Sequence, residues 1–216
     1  MKRTPKEKKL AGSIITIISL SSVGYAVLRY NIAGDVPWKD VPIFVFNKGI
    51  SLASFILMTV SFSLGPLKNL GLRCSNELLE TRKSLGVVGL MYAFTHVVMS
   101  VSILNPFYYI NFYEANGSLS FRGGLSILGG VCSLVLLWAH YLSFKVGLKK
   151  MYAILKGITS RKIIVPIFFF MGVHLFFLGY TGWTTVGQWQ AGLPPISLLS
   201  FIIFCFGFLV NLIGRR

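Results

Sequence analysis

Acidic side chains are scarce in this sequence: six Asp and Glu stand against 21 Lys and Arg in 216 residues, and charged residues together make up only 12%. Soluble domains carry roughly 25% charged residues, so the chain lacks the material for a water-facing surface. All six acids (Glu7, Asp35, Asp40, Glu77, Glu80 and Glu114) lie outside the apolar stretches. That removes the buried carboxylates expected of an ion-coupled carrier. Cysteine is equally thin. Cys74 sits in a charged connector and Cys132 and Cys205 inside apolar runs, so neither a disulfide framework nor a metal-binding spacing is present. No G-x-G-x-x-G unit follows a strand-like segment, and oxidation of a dinucleotide therefore needs a separate polypeptide.

What the sequence has in quantity is hydrocarbon. Apolar residues make up 54%, with 18 Phe, 9 Tyr and 4 Trp, and the mean hydropathy is +0.71. Six uninterrupted apolar stretches of near-spanning length occur at 10–28, 43–64, 85–104, 124–144, 163–180 and 195–213. Each approaches the roughly 20 residues that carry a helix across a bilayer. None alternates as a barrel strand does, so helices are the only spanning structure that satisfies the backbone. The expectation is an all-α integral membrane protein: one domain, a six-helix bundle in contact with membrane lipid, in the cell (inner) membrane.

The net charge of +15 would suggest a polyanion partner in a soluble protein, but its distribution points to orientation instead. Lys2, Arg3, Lys6, Lys8 and Lys9 precede the first span. Lys68, Arg73, Arg82 and Lys83 lie between the second and third. Lys145, Lys149, Lys150, Lys156, Arg161 and Lys162 lie between the fourth and fifth, and Arg215 and Arg216 follow the sixth. Seventeen of the 21 basic residues thus share one side, leaving Arg29, Lys39, Lys48 and Arg122 on or near the other. By the positive-inside bias both termini are cytoplasmic and no nucleic acid is implied. The first span has a basic lead like a signal peptide, but it is too long and lacks a small-x-small cleavage site, so it is read as a helix. Two outer loops are aromatic, with Pro106, Phe107, Tyr108, Tyr109, Phe112 and Tyr113 in one and Trp183 and Trp189 in the other, as in an interfacial belt. Asn116-Gly117-Ser118 in the first of these fits a glycosylation sequon.

Only three histidines occur, all inside apolar stretches, where an ionisable group is costly and usually functional. His96 lies 12 residues beyond Ser84 and His174 lies 11 beyond Ile163, or about 18 and about 17 Å into two helices of the same direction. His140, on a helix of opposite direction, lies only about 7 Å from the cytoplasmic edge and cannot share their plane. Two neutral imidazoles facing one another across a bundle are the ligand set of a b-type haem. Alternatively, the two side chains only hydrogen-bond across helices. Zinc is disfavoured for want of a third ligand at that level. Gly89, two turns below His96 on the same face, would leave room for a flat macrocycle. Lys48 and Arg122 in the outward half are possible partners of haem propionates, or simply snorkel to the interface. Arg82 and Lys83 lie about 18 Å below His96 and would anchor the helix or face an electron donor.

Leu64-Gly65-Pro66-Leu67 closing the second span, then Arg82-Lys83-Ser84-Leu85-Gly86, Tyr92 and His96 in the third, resemble the ferric-reductase-like transmembrane domain family. The branch they resemble most is the haem-binding membrane subunit of the bacterial methionine sulfoxide reductase system, whose third helix reads R-R-x-L-G-L and then Y-x-x-x-H. The specific part covers about 35 residues, and the six-helix plan nearly the whole chain. The resemblance implies that His96 and His174 ligate haem iron and that the protein carries electrons across the membrane. The donor would be a cytoplasmic flavoprotein (flavin reductase) or quinol, and the acceptor an outer-face redox protein or ferric iron, with FMN or quinone as further cofactors. The family's second fifth-helix histidine, 13 residues before His174, is replaced here by Arg161. One haem b is therefore implied, a second only if His140 serves as a substitute ligand. The competing reading is a non-redox polytopic protein, a carrier or an anchoring subunit without haem.

Overall fold

The computed structural model describes residues 4–144 and 163–214, so the basic residues Lys2, Arg3, Lys145, Lys149, Lys150, Lys156, Arg161, Lys162, Arg215 and Arg216 lie outside the described residues. The described residues are all helical apart from loops and turns, with no strand. Among the described residues, six helices are long and apolar enough to cross a membrane. They are α1 (Pro5–Val27), α2 (Phe46–Asn69), α3 (Asn76–Ser102), α4 (Phe121–Leu142), α5 (Ile164–Trp183) and α6 (Ile196–Ile213). A π-helical turn, Leu28–Ile32, prolongs α1, and another, Val41–Val45, leads into α2.

Several helices run past the limits set by hydropathy. The sequence places the third span at 85–104, yet α3 starts at Asn76, because Ser75 caps it by accepting a hydrogen bond from the Leu78 N–H at 3.2 Å. Charged residues end an apolar stretch, but they do not end a helix whose first turn is capped. The same holds for α1, where Thr4 and Glu7 form a reciprocal capping box with Pro5 in the first turn. Pro66 does not close the second span at 64. It lies inside α2, which continues to Asn69. Near it Gly65 makes room for the Arg82 guanidinium, where a Cβ would lie 3.1 Å from Nη1. The Arg82 Nε–H donates to the Ser61 carbonyl, and the Ser61 hydroxyl donates back to the Arg82 carbonyl. Arg82 is thus tied to the last turns of α2, where a cation suits the negative end of the helix.

The middle of the bundle is α2, more than half buried along its spanning stretch (56%), whereas the other five reach 17% to 28%. It packs on α1, α3 and α6, while α5 packs on α4 and α6. Lipid offers no hydrophobic force to drive helices together, so close approach depends on small residues. Gly49 abuts Val23 of α1, Gly207 abuts Thr59 and Phe168, and Gly172 abuts Phe204. Gly89 faces α2: a Cβ there would meet Met58 Cγ at 2.7 Å, and the Ser54 hydroxyl donates to its carbonyl at 2.8 Å. Gly89 therefore seats one helix against another and does not open space for a macrocycle, correcting the expectation from the sequence. Met58, Leu90, Leu137, Ile167, Phe168 and Met171 form the larger apolar core, and Ala26, Val45, Leu52 and Ile196 a smaller one. Ile17, Val98, Leu128 and Ile202 stay more than half exposed on the outer faces, as residues facing hydrocarbon do.

Contacts define the two ends. At one end Lys6 of α1 pairs with Glu77 of α3 at 3.2 Å, and the Asn69 amide donates to the Gly214 carbonyl after α6. The start of α1, the end of α6 and the α2–α3 connector therefore meet there. The opposite end holds the long aromatic loop before α4 and the loop before α6, clamped by Arg29. Arg29, 7% exposed, donates through its guanidinium to the Pro194 carbonyl at 3.0 Å and to Gln190 Oε1 at 2.8 Å and covers the Tyr30 ring, while the Tyr25 hydroxyl also donates to Pro194.

Candidate functional site

Beneath the loop end lies a cavity of about 210 Å³, larger than the ~150 Å³ that admits a benzene ring. Both His96 of α3 and His174 of α5 line it. Lys48, Ser51 and Phe55 contribute from α2, Ser197 and Ser200 from α6, and Tyr108, Tyr109 and Phe112 from the loop above. Because the loop roofs the cavity, the two imidazoles sit toward the loop end of the bundle.

Each ring is oriented through its Nδ1. His174 donates to the main-chain carbonyl of Ser126 at 2.9 Å. A carbonyl carries no proton, so the ring must supply it. The approach depends on α4 being nearly bare at this level. A Cβ on Gly129 would lie 2.8 Å from the His174 backbone nitrogen, and one on Gly130 would lie 3.0 Å from His174 Nδ1. The Ser126 hydroxyl, one turn away, donates to the His174 carbonyl at 3.0 Å and completes the seam. His96 Nδ1 donates to Asn47 Oδ1 at 2.6 Å, and the Asn47 amide donates to Ser100 Oγ at 2.9 Å. In both rings Nε2 is the nitrogen with no hydrogen bond among the described residues. An imidazole that donates one N–H to a carbonyl acceptor and presents the other nitrogen to a cavity has the arrangement of a metal-ligating histidine. Two of them on one cavity form a donor set that would suit a haem iron. Among the described residues no group of three or more His, Cys, Asp or Glu that could hold a metal ion occurs.

The remaining candidates separate. Lys48 joins the histidines on the cavity wall, its ammonium 4.7 Å from the Tyr109 ring centre and 5.2 Å from that of Phe44. Arg122 does not line this cavity. It donates to Thr181 Oγ1 at 3.1 Å and covers the Tyr180 ring, which fastens the start of α4 to the end of α5. Arg122, read from the sequence as a possible propionate partner or an interfacial cation, is thus engaged away from the cavity-lining residues. His140 lies ten residues beyond Gly130 on α4, or about 15 Å along the axis, with its ring edge-on to Phe62 and Phe144. It lies away from the cavity. Cys74, Cys132 and Cys205 are free.

Sequence reasoning did not single out Asn47, Ser126 or the Gly129-Gly130 pair. The only signal was a lone polar residue among apolar ones at Ser126 and two adjacent glycines in a span. Beside the cavity a second hollow, lined by Asp35, Asp40, Phe107, Tyr108 and Gln190, opens at the same end. There the Tyr108 hydroxyl donates to Asp40 at 3.0 Å, and this bond to the carboxylate raises the phenol pKa above its ordinary value. No family model and no curated protein matches this chain.

Proposed function

We propose that the protein is a membrane-embedded b-type haem electron-transfer subunit, with both termini cytoplasmic, in the cell membrane. The observation that carries this reading is the pairing of His96 and His174 on one cavity, each with Nδ1 committed to an acceptor and Nε2 left over. A bound haem would supply a one-electron iron couple at that level of the bundle. The chain's own residues do the rest. Asn47 and the Ser126 carbonyl hold the two rings, Lys48 offers a cation to a propionate, and the loop 108–112 covers the cavity from water. The meeting of the start of α1 and the end of α6 at the end that carries Lys6, Lys8, Lys9, Lys68, Arg73 and Lys83 supports the cytoplasmic assignment of that end. Electrons would come from a cytoplasmic flavoprotein or quinol and leave at the loop end to an outer redox protein or ferric iron, the role implied by the ferric-reductase-like resemblance.

The test is a reduced-minus-oxidised spectrum of protein purified from haem-replete cells. Bands of a low-spin b haem are expected, lost in His96→Ala and in His174→Ala and kept in His140→Ala. A colourless wild-type preparation would overturn the proposal. Bleaching by His140→Ala would overturn the two-ligand assignment.

A further inference from the structure

The two histidines on the cavity are held by different kinds of acceptor. For His174 it is the main-chain carbonyl of Ser126, which no side-chain substitution removes. For His96 it is a side chain, and the bond is short, 2.6 Å. Asn47 is fully buried, at 0% exposure, in the first turn of α2 and immediately before the cavity residue Lys48. Its amide is engaged at both ends, since Nδ2 donates to Ser100 Oγ one helical turn beyond His96. Swinging the side chain away would break both bonds, and Ser100 Oγ itself lies 3.4 Å from His96 Nδ1. Reversing it would set Nδ2 against His96 Nδ1 and force the ring proton onto Nε2, replacing a lone pair at the cavity by an N–H.

We infer that Asn47 is a positioning residue: by accepting the Nδ1 proton of His96 it fixes the tautomer and rotation of that ring, so that Nε2 presents its lone pair to the cavity. The tautomer stands independently, whereas its consequence for ligation rests on the haem reading. An acceptor on the far nitrogen raises the basicity of a ligating imidazole, and its removal typically weakens metal binding by roughly 10- to 100-fold. Asn47 is thus the side chain by which the surroundings of the two histidines differ.

The test begins on the full chain without haem, labelled with nitrogen-15 histidine in detergent micelles. The wild-type protein is expected to show His96 protonated at Nδ1 and bare at Nε2. Asn47→Leu, similar in volume and without an acceptor, should abolish that signature at His96 alone, and Ser100→Ala should keep it. A wild-type proton on Nε2, or an unchanged Nδ1 signal in Asn47→Leu, overturns the inference. Where Asn47→Leu does not accumulate, the wild-type spectrum decides. With haem added, Asn47→Leu should bind it roughly 10- to 100-fold more weakly and shift its midpoint potential, whereas His96→Ala should not bind it. If the wild-type chain takes up no haem, the haem reading fails and the tautomer result is judged alone. Haem uptake with unchanged affinity and potential in Asn47→Leu overturns the positioning role and leaves the haem reading intact.

Discussion

Gly129→Ala is the most exacting probe of how the histidine site is built. The added Cβ would lie 2.8 Å from the His174 backbone nitrogen and 3.0 Å from the Phe170 carbonyl oxygen, whereas ordinary contact begins at 3.4 Å. Both neighbours are backbone, so no side-chain rotation relieves the overlap. α4 must move off α5 by about 0.6 Å, which stretches the 2.9 Å bond between His174 Nδ1 and the Ser126 carbonyl to about 3.5 Å, the limit of a hydrogen bond. Overpacking of this kind costs about 1–3 kcal/mol, and loss of the bond about 1 kcal/mol more. Alanine returns up to about 1 kcal/mol through its better helix propensity, leaving a net loss of about 1–3 kcal/mol. For a chain of this size 1 kcal/mol corresponds to about 2–4 °C in Tm, so thermal unfolding in detergent resolves the effect. Gly24→Ala on α1, where a Cβ would meet nothing within 4 Å, is the control and should be neutral or slightly stabilising. A Gly129→Ala protein as stable as wild type, with His174 Nδ1 still protonated by nitrogen-15 spectroscopy, would refute this account of the α4–α5 seam.

Arg29→Ala removes two donors to the loop before α6 and leaves the Tyr25 hydroxyl on Pro194. It should destabilise the protein by about 1–3 kcal/mol in thermal unfolding, and Arg29→Lys should recover only part because a lysine cannot reach two acceptors in one plane. Lys48→Met and Arg122→Met should differ: the first weakens haem retention because Lys48 lines the cavity, and the second leaves it unchanged because Arg122 is committed to Thr181 and Tyr180. The check is haem release on titration with apomyoglobin. Tyr108 bonds the Asp40 carboxylate only as a neutral phenol, so its folded pKa lies above the unfolded one. The tie is fully present below the ordinary phenol range and is lost as pH rises through the raised value. Ultraviolet titration should show Asp40→Asn lowering that pKa, and an unchanged titration would remove the Tyr108–Asp40 bond from the account.

Much of the architecture was legible because each apolar residue carries its own free energy of transfer into lipid, whatever its neighbours. Ile196–Ile213 and Ile164–Trp183 read as spans on that ground alone, and the rarity of histidine in the apolar stretches singled out His96 and His174. The start of α3 at Asn76 was not legible from hydropathy, since it depends on a capping hydroxyl at Ser75. Gly89 was misjudged because a glycine on a helix face reads the same whether a ligand or another helix fills the space. Here the Met58 side chain fills it.

The sequence by itself determined a six-helix membrane chain with scarce interior polar groups, an asymmetric distribution of basic residues and two histidines at comparable depth. Only the tertiary structure decided what holds those histidines. The acceptor of His96 is 49 residues away at Asn47, and that of His174 is 48 residues away at Ser126. Such pairs arise from helix crossings that glycines permit to within contact distance. A crossing is a property of two surfaces meeting, and no single stretch of sequence encodes it.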